Sequence, residues 1–353
     1  MTIKDVAKLA GVSHGTVSNV INGHPSVSRE MIQRVKEAMV QLGYVPRPPE
    51  KRTGPRRKRQ QKDLRTGNIG ILFVGMANSL VRAPIFTRMV HSVAKTLGER
   101  DLAMVLAETS VPALLPSTIC PQRLDGLILC GKQPTGDTLT KLRKLPCVRV
   151  LGVPTACTEL ISDHIEPANE VIGAMAARYL VNRGHRHLAV INPEEGHLAF
   201  TVRSMAFMET LASQHVKVTA LTAHVEVDTC SLLHEGGSEL EMKPVIKKVL
   251  QADPRPTGLF IPSDYHVALA YRYLAEAGLV PGKDIEFIGC NNEISTLAGL
   301  SIRPATIDIN ADEIGRRAVE GLLERLASDD NAKPFVHVTV QPTLIEAESV
   351  VTN

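Results

Sequence analysis

The chain has 353 residues, enough for two or three domains, and its 44% hydrophobic and 22% charged content is that of a water-soluble globular protein. No apolar run approaches the ~18–20 residues of a membrane-spanning helix, and a start that carries Asp5 among alternating charged and apolar residues is unlike a signal peptide. Net charge is +3, but residues 1–66 hold 14 Lys and Arg against 5 Asp and Glu; a head of +9 precedes a remainder of −6, which points to a polyanion as partner of the head alone.

In chain order, "TIKDVAKLA" sets Ile3, Val6, Ala7 and Ala10 on one helical face, with Thr2 as N-cap and Gly11 as stop. After the turn "GVS", Ser13 caps a second helix, "HGTVSNVIN". Its apolar face is Val17, Val20 and Ile21; its other face offers only small or polar residues, His14, Gly15, Thr16, Ser18, Asn19 and Asn22. "GHP" breaks the chain. Ser28 then caps a third helix from Arg29 to Leu42, with Ile32, Val35, Ala38, Met39 and Leu42 inward and Gly43 at its end. Two short helices on a glycine-containing turn, plus a supporting third, form a helix-turn-helix. A slim second helix suits the major groove, about 12 Å wide.

Next comes a cord, "VPRPPEKRTGPRRKRQQKDLR". Pro46, Pro48, Pro49 and Pro55 forbid a regular helix there. From Arg47 to Arg65 it carries nine Lys and Arg and two acids, with little apolar surface to bury. The 18 residues from Pro48 to Arg65 reach at most ~60 Å at about 3.3 Å each.

The remainder alternates strands and helices in two similar series, beginning "NIGILFVG" and "HLAVIN". Strands that are nearly continuous apolar runs belong in parallel sheets covered on both faces. About 285 residues exceed one comfortable core, so two lobes are expected. The expected architecture is a small all-α domain (1–46), a basic linker (47–66) and an α/β two-lobed parallel-sheet domain (67–347). Six scattered cysteines without CxxC spacing suggest reduced thiols and a cytoplasmic protein.

"TIKDVAKLAGVSHGTVSNVIN" with "VSREMIQRVKEAMVQLGY" closely resembles the DNA-binding headpiece of LacI-family transcriptional regulators. "RGHRHLAVI", "LDGLILCG" and "PTGLFIPSDYHVALAYRYLAEAGLVPGKDIEFIGCNN" resemble the same family's effector-binding body, a type I periplasmic-binding-protein-like fold. The likeness implies a dimeric, cytoplasmic repressor on a pseudo-palindromic operator, controlled by a small molecule between the lobes, with no cofactor, metal or catalysis. It places His14, Gly15 and Asn19 at base-reading positions. Thr2, Ser13, Ser18, Asn22, Ser26 and Ser28 fall at phosphate or backbone contacts; Thr16 shares their surface. Relatives often carry Arg where Asn19 stands, and Asn pairs best with adenine. In the body the likeness puts Asn169, Arg203, Ser263 and Asn291 in the cleft, with lobe crossings near Asp163, Asn292 and Leu322. Asn169 and Asn291 replace the family's usual Asp pair, which leaves Arg203 unopposed and suggests a neutral or anionic sugar-like ligand.

Two other classes stay open: an architectural DNA-binding protein dominated by its basic arm, and a DNA-tethered sugar-acting enzyme, which lacks any catalytic motif. "HRH" (His185, His187) reads as a helix-to-strand turn rather than a metal pair. The departure from the family lies in the cord. Relatives carry a hinge helix there that wedges a leucine into the minor groove; no leucine occurs here between Leu42 and Leu64. Arg52, Arg56, Arg57, Lys58 and Arg59 suggest instead a basic arm for narrow A·T-rich minor grooves. A solvated tether, or a short helix formed on DNA by "RRKRQQKDLR", are the alternatives. Deleting residues 51–59 removes six cations; if these meet phosphates, the slope of log K against log salt flattens by about 5. An unchanged slope identifies a tether.

Overall fold

The computed structural model describes residues 2–21, 27–44, 64–76, 83–151, 162–223, 237–328 and 334–348. Asn22, Ser26 and the basic arm lie outside them. The chain divides into two compact units, Met1–Gln61 and Lys62–Asn353.

The first unit is built on helices Ile3–Ala10 (α1), His14–Ile21 (α2) and Arg29–Gln41 (α3). Its core is Val6, Ala7, Ala10, Val17, Val35 and Ala38; Ile3, Val20, Ile21, Met39 and Leu42 pack against it partly buried. Gly11 closes α1 in the left-handed region at φ 64°, which a side chain rarely adopts. The Arg34 guanidinium crosses from α3 to donate to the Ala10 carbonyl at 2.7 Å, so an orphan acceptor at the end of α1 is satisfied from another helix.

The second unit has two six-stranded sheets. The first is Asn68–Val74 (β1), Ala103–Thr109 (β2), Gly126–Gly131 (β3), Cys147–Val150 (β4), Asp163–Pro167 (β5) and His337–Val340 (β11), ordered β11-β5-β4-β3-β1-β2 and wholly parallel. The second is His187–Asn192 (β6), Lys217–Thr222 (β7), Gly258–Phe260 (β8), Glu286–Cys290 (β9), Ala305–Asp308 (β10) and Thr343–Ile345 (β12). Its order is β12-β10-β9-β8-β6-β7, and β12 alone runs antiparallel. The helices are Pro84–Gly98 (α4), Gly136–Leu142 (α5), Asn169–Asn182 (α6), Leu198–Leu211 (α7), Gly237–Gln251 (α8), Asp264–Glu276 (α9), Ile294–Leu297 (α10) and Ala311–Leu326 (α11).

The two-residue period of strands explains the layers. In β1, Ile69, Ile71 and Phe73 join the core under α4 and α11, while Leu72 and Val74 join the opposite one with Leu139 and Leu142 of α5. In β6, Leu188 and Val190 face α6 and α7; Ala189 and Ile191 face α8 and α9. Helices α6 and α7 approach closely at Gly173, where a Cβ would stand 2.2 Å from the Arg203 carbonyl oxygen. At the entry to the first lobe the Asp125 carboxylate receives the N–H groups of Arg65, Thr66 and Gly67 at 2.7–3.1 Å.

Two expected lobe crossings are corrected. The first falls at Ala168, between β5 and α6, close to Asp163. The second lies at 309–310, not near Asn292, because β10 still extends the second sheet. The third lies at 341–342, between β11 and β12, not near Leu322. Leu322 belongs to α11, which packs on β3, β4 and β5 in the first lobe and fills the space Gly126 leaves open. The four-residue β10 and the short β11 and β12 are too brief to announce themselves by pattern.

Candidate functional site

In the head, His14, Gly15 and Asn19 are exposed on α2, and Val17 is buried behind them. Among the other sequence-assigned positions, the Ser13 and Ser28 hydroxyls cap helices and Thr2 joins a capping box with Asp5. Thr2 donates to Asp5 through both its N–H (2.7 Å) and its hydroxyl (2.9 Å), which holds the Asp5 carboxyl below its usual range. Ser13 Oγ accepts the Thr16 N–H at 3.1 Å and shares a hydrogen bond with the Thr16 hydroxyl. Ser28 Oγ accepts the Met31 N–H at 3.3 Å. Thr2, Ser13 and Ser28 remain exposed, and Ser18 is half-buried. The slim polar face is thus held rigidly in place by three caps.

In the body, Asn169, Arg203, Ser263 and Asn291 are all buried, and all lie beyond the carboxyl ends of strands, where open parallel sheets place ligands. Arg203, on α7, is the centre. Its Nε donates to Asn169 Oδ1 at 2.9 Å, and one terminal nitrogen reaches the Pro262 carbonyl at 3.0 Å and Cys290 Sγ at 3.3 Å. Pro262 precedes Ser263, and Cys290 precedes Asn291, so the guanidinium draws all four positions together. Ser263 is the N-cap residue of α9 with no side-chain cap bond. Asn291 is held at φ 103°.

The expectation that Arg203 stands unopposed needs qualification. Asn169 Nδ2 donates to Glu166 Oε2 at 3.1 Å, and Glu166 Oε1 lies 2.6 Å from His337 Nε2. A carboxyl therefore stands one hydrogen bond behind the guanidinium; burial, the largest influence, pushes its pKa up.

No sequence motif marks the surrounding groups. His197 caps α7: its Nδ1 accepts the Phe200 N–H at 3.3 Å, which places the proton on Nε2. Its ring stacks on Phe200 with centroids 3.9 Å apart, and the Arg203 guanidinium lies 6.0 Å from the Phe200 ring centroid. His266 meets Phe200 edge-on at 6.2 Å; it is buried, and neither ring nitrogen has a hydrogen-bond partner among the described residues. Across the lobes, Arg88 on α4 donates to both Asp308 oxygens (3.3 and 3.2 Å), to Asp312 (2.7 Å) and to the Asn291 carbonyl (3.4 Å). Buried Glu293 accepts from the Ile85 backbone in the other lobe; burial raises its pKa to about 7. A histidine following "EEG" and an arginine inside an apolar helix were the available signals, and both are common without any site.

A three-helix DNA-binding type of head and a two-lobed body with a polar cluster between its sheets define the class: a helix-turn-helix protein carrying a periplasmic-binding-protein-like domain. Residues 2–47 match the model of bacterial regulatory proteins of the lacI family, and residues 177–350 match a periplasmic binding protein-like domain. The HTH-type transcriptional repressor PurR of Haemophilus influenzae (strain PittEE) is 28% identical over 358 residues, covering 99% of this chain and 98% of the relative. The ribose operon repressor of Escherichia coli (strain K12) is 27% identical over 352 residues, 99% of both chains. Among solved structures, a transcriptional regulator CelR–cellobiose complex aligns with TM-score 0.66 at 22% identity over 99% of both chains. The Lac repressor dimer bound to operator and the anti-inducer ONPF aligns at 0.61 and 20% over 98% of both. A LacI family regulator from Enterococcus faecium with bound ribose aligns at 0.63 and 18%, over 79% of this chain and 97% of that one. The head thus matches the lacI family of bacterial regulatory proteins, and the chain is similar to the repressors named above over nearly its whole length. Among the described residues no helix is long and apolar enough to cross a membrane.

Buried His266 yields a pH prediction. Burial, and then the neighbouring His197, push its pKa down to about 3 from 6.5. The folded chain keeps this imidazole neutral while the unfolded chain protonates it. Its contribution is therefore intact above pH 6.5 and is lost progressively as pH falls toward about 3. His266→Gln should flatten the fall of unfolding free energy in that window by about 1.4 kcal/mol per pH unit at most. Urea unfolding at stepped pH measures it, and identical slopes contradict the assignment.

Proposed function

We propose that the chain is a sequence-specific DNA-binding repressor, without catalysis, that works as a homodimer on a pseudo-palindromic operator and is controlled by a small hydroxylated molecule in the cleft. One observation carries the DNA half of this reading: α2 exposes His14, Gly15 and Asn19 on a face free of bulky side chains, and Val17 and the caps fix its orientation. His14 and Asn19 supply direct readout, Asn19 as a bidentate partner of adenine N6 and N7. Gly15 lets the backbone approach the groove. The exposed caps Thr2, Ser13 and Ser28 stand at helix N-termini, whose N–H groups suit phosphates. The PurR and ribose operon relatives are repressors, and two similar regulators are seen bound to cellobiose and to ribose.

In the cleft, Arg203, Ser263, Asn291 and the His197 Nε2–H supply donors, and Glu166 and the neutral His266 ring supply acceptors. Such a mixture suits a ligand rich in hydroxyls, which both donate and accept. The carboxyl behind Asn169 reduces the positive character that Arg203 gives the cleft, so neutral sugars rank ahead of anionic ones. Control requires that the ligand prefer one arrangement of the lobes over another. The Arg88 and Glu293 bridges are the groups such a change would make or break.

Selecting binding sites from random DNA with the full chain and with Asn19→Ala tests the reading. The wild type should return a pseudo-palindrome. The variant should lose preference at one adenine per half-site, worth about 1–3 kcal/mol, and keep the rest. Uniform weakening at every position would make Asn19 a phosphate contact, and no enriched sequence at all would remove the function.

A further inference from the structure

The second lobe contains a cavity of about 510 Å³ that is not part of the cleft. It lies at the opposite end of the same sheet. The cleft side of β9 ends at Cys290; the cavity is reached at Glu286, the first residue of that strand. Five strand residues separate the two by about 13 Å. The volume falls within the ~300–1,000 Å³ usual for small-molecule sites.

The floor is apolar: Ile302 and Ala347 are half-buried, over the buried Tyr271, Phe287 and Pro304. Tyr271 and Phe287 are stacked with ring centroids 5.9 Å apart. Hydrogen bonds hold the walls apart. The Tyr271 hydroxyl pairs with Ser301 Oγ at 2.6 Å and accepts the Ile302 N–H at 3.1 Å. The Glu348 N–H donates to the Arg303 carbonyl at 3.0 Å, and the Gly282 N–H to the Ile285 carbonyl at 2.8 Å. Segments tied in this way cannot collapse to fill the space.

The charges around the floor decide what would enter. Arg183 is paired with Glu286, which also accepts the Tyr179 hydroxyl at 2.9 Å and lies 2.8 Å from His185 Nε2. These partners hold the Glu286 carboxyl down at about 2 against its burial. Arg303 is paired with Glu348 at 3.3 Å. Both cations are thus matched by carboxylates. Glu346 is the remaining charged residue of the lining, and it makes no hydrogen bond or ion pair to another described residue. Glu346 acts on Arg183 through space only, and the lining holds three carboxylates against two guanidinium groups, so an apolar floor with one acid in excess favours a cation with an apolar body.

We propose that this cavity is a second ligand site of the regulator, taking a small organic monocation such as an arylalkylamine, with the apolar body against Ile302 and Ala347 and the ammonium at Glu346. It stands whether or not the cleft binds a sugar. Isothermal titration of the full chain with 2-phenylethylamine and with 2-phenylethanol tests it. The amine should bind saturably in the millimolar range, about tenfold or more tightly than the alcohol. Glu346→Gln, an exposed position that does not touch the core, should erase the difference between the two. Ala347→Leu should fill the floor and abolish both. Equal binding of amine and alcohol by the wild type, an amine affinity unchanged in Glu346→Gln, or no saturable heat with the amine would each overturn the site.

Discussion

The body depends on a guanidinium buried with no hydrogen bond to a carboxylate among the described residues. Removing a cation from water costs several kcal/mol unless its hydrogen bonds are replaced. Arg203 replaces them with the side chain of Asn169, the carbonyl of Pro262 and the sulfur of Cys290. Those groups belong to α6, to the loop after β8 and to the end of β9. One side chain therefore sets the relative positions of three segments that end at the cleft. The Asn169 amide is the key adaptor, because it accepts from the arginine and donates to Glu166 at once. An aspartate at 169 could not donate to Glu166, and the two carboxylates would repel. The amide at this position and the acid at 166 thus explain each other.

The same reasoning extends to the lobe boundary. Arg88 joins Asp308, where the second sheet ends, to Asp312, where α11 returns to the first lobe. Glu293 reaches back from the second lobe to the α4 backbone. Asp264, beneath it, accepts from Thr306 at 2.8 Å and from the Glu293 N–H at 2.8 Å; burial pushes its carboxyl up to about 8. Charges concentrated at a boundary give each arrangement of the lobes its own set of bonds. A regulator needs that property, since a ligand shifts an equilibrium only by what it gains in one state over the other.

Elements long enough to show a period were legible in the sequence. The three caps of the head, the alternating strands β1 and β6, and the long helices from α4 to α9 follow from spacing and breakers. Leu322 shows where legibility ends. Its helix continues the first lobe although the sequence places it after ten strands, and β10, β11 and β12 are only three or four residues long. The cleft was legible only as positions. That Asn169, Arg203, Ser263 and Asn291 share a neighbourhood came from likeness to a family; that Glu166, His197, Phe200 and His266 surround them came from the fold. Such residues are brought together across 30 to 170 positions of chain, and nothing local marks them.

On the proposed function, the buried Arg203 organises the ligand-reading cleft of a DNA-binding regulator. Thermal unfolding of the full chain against neutral sugars, sugar acids and amines tests it directly. A neutral or acidic sugar should raise the midpoint, and the rise should vanish in Arg203→Met and shrink in Ser263→Ala. If only amines stabilise the protein, or if a sugar's stabilisation survives in Arg203→Met, the cleft is not organised around that guanidinium.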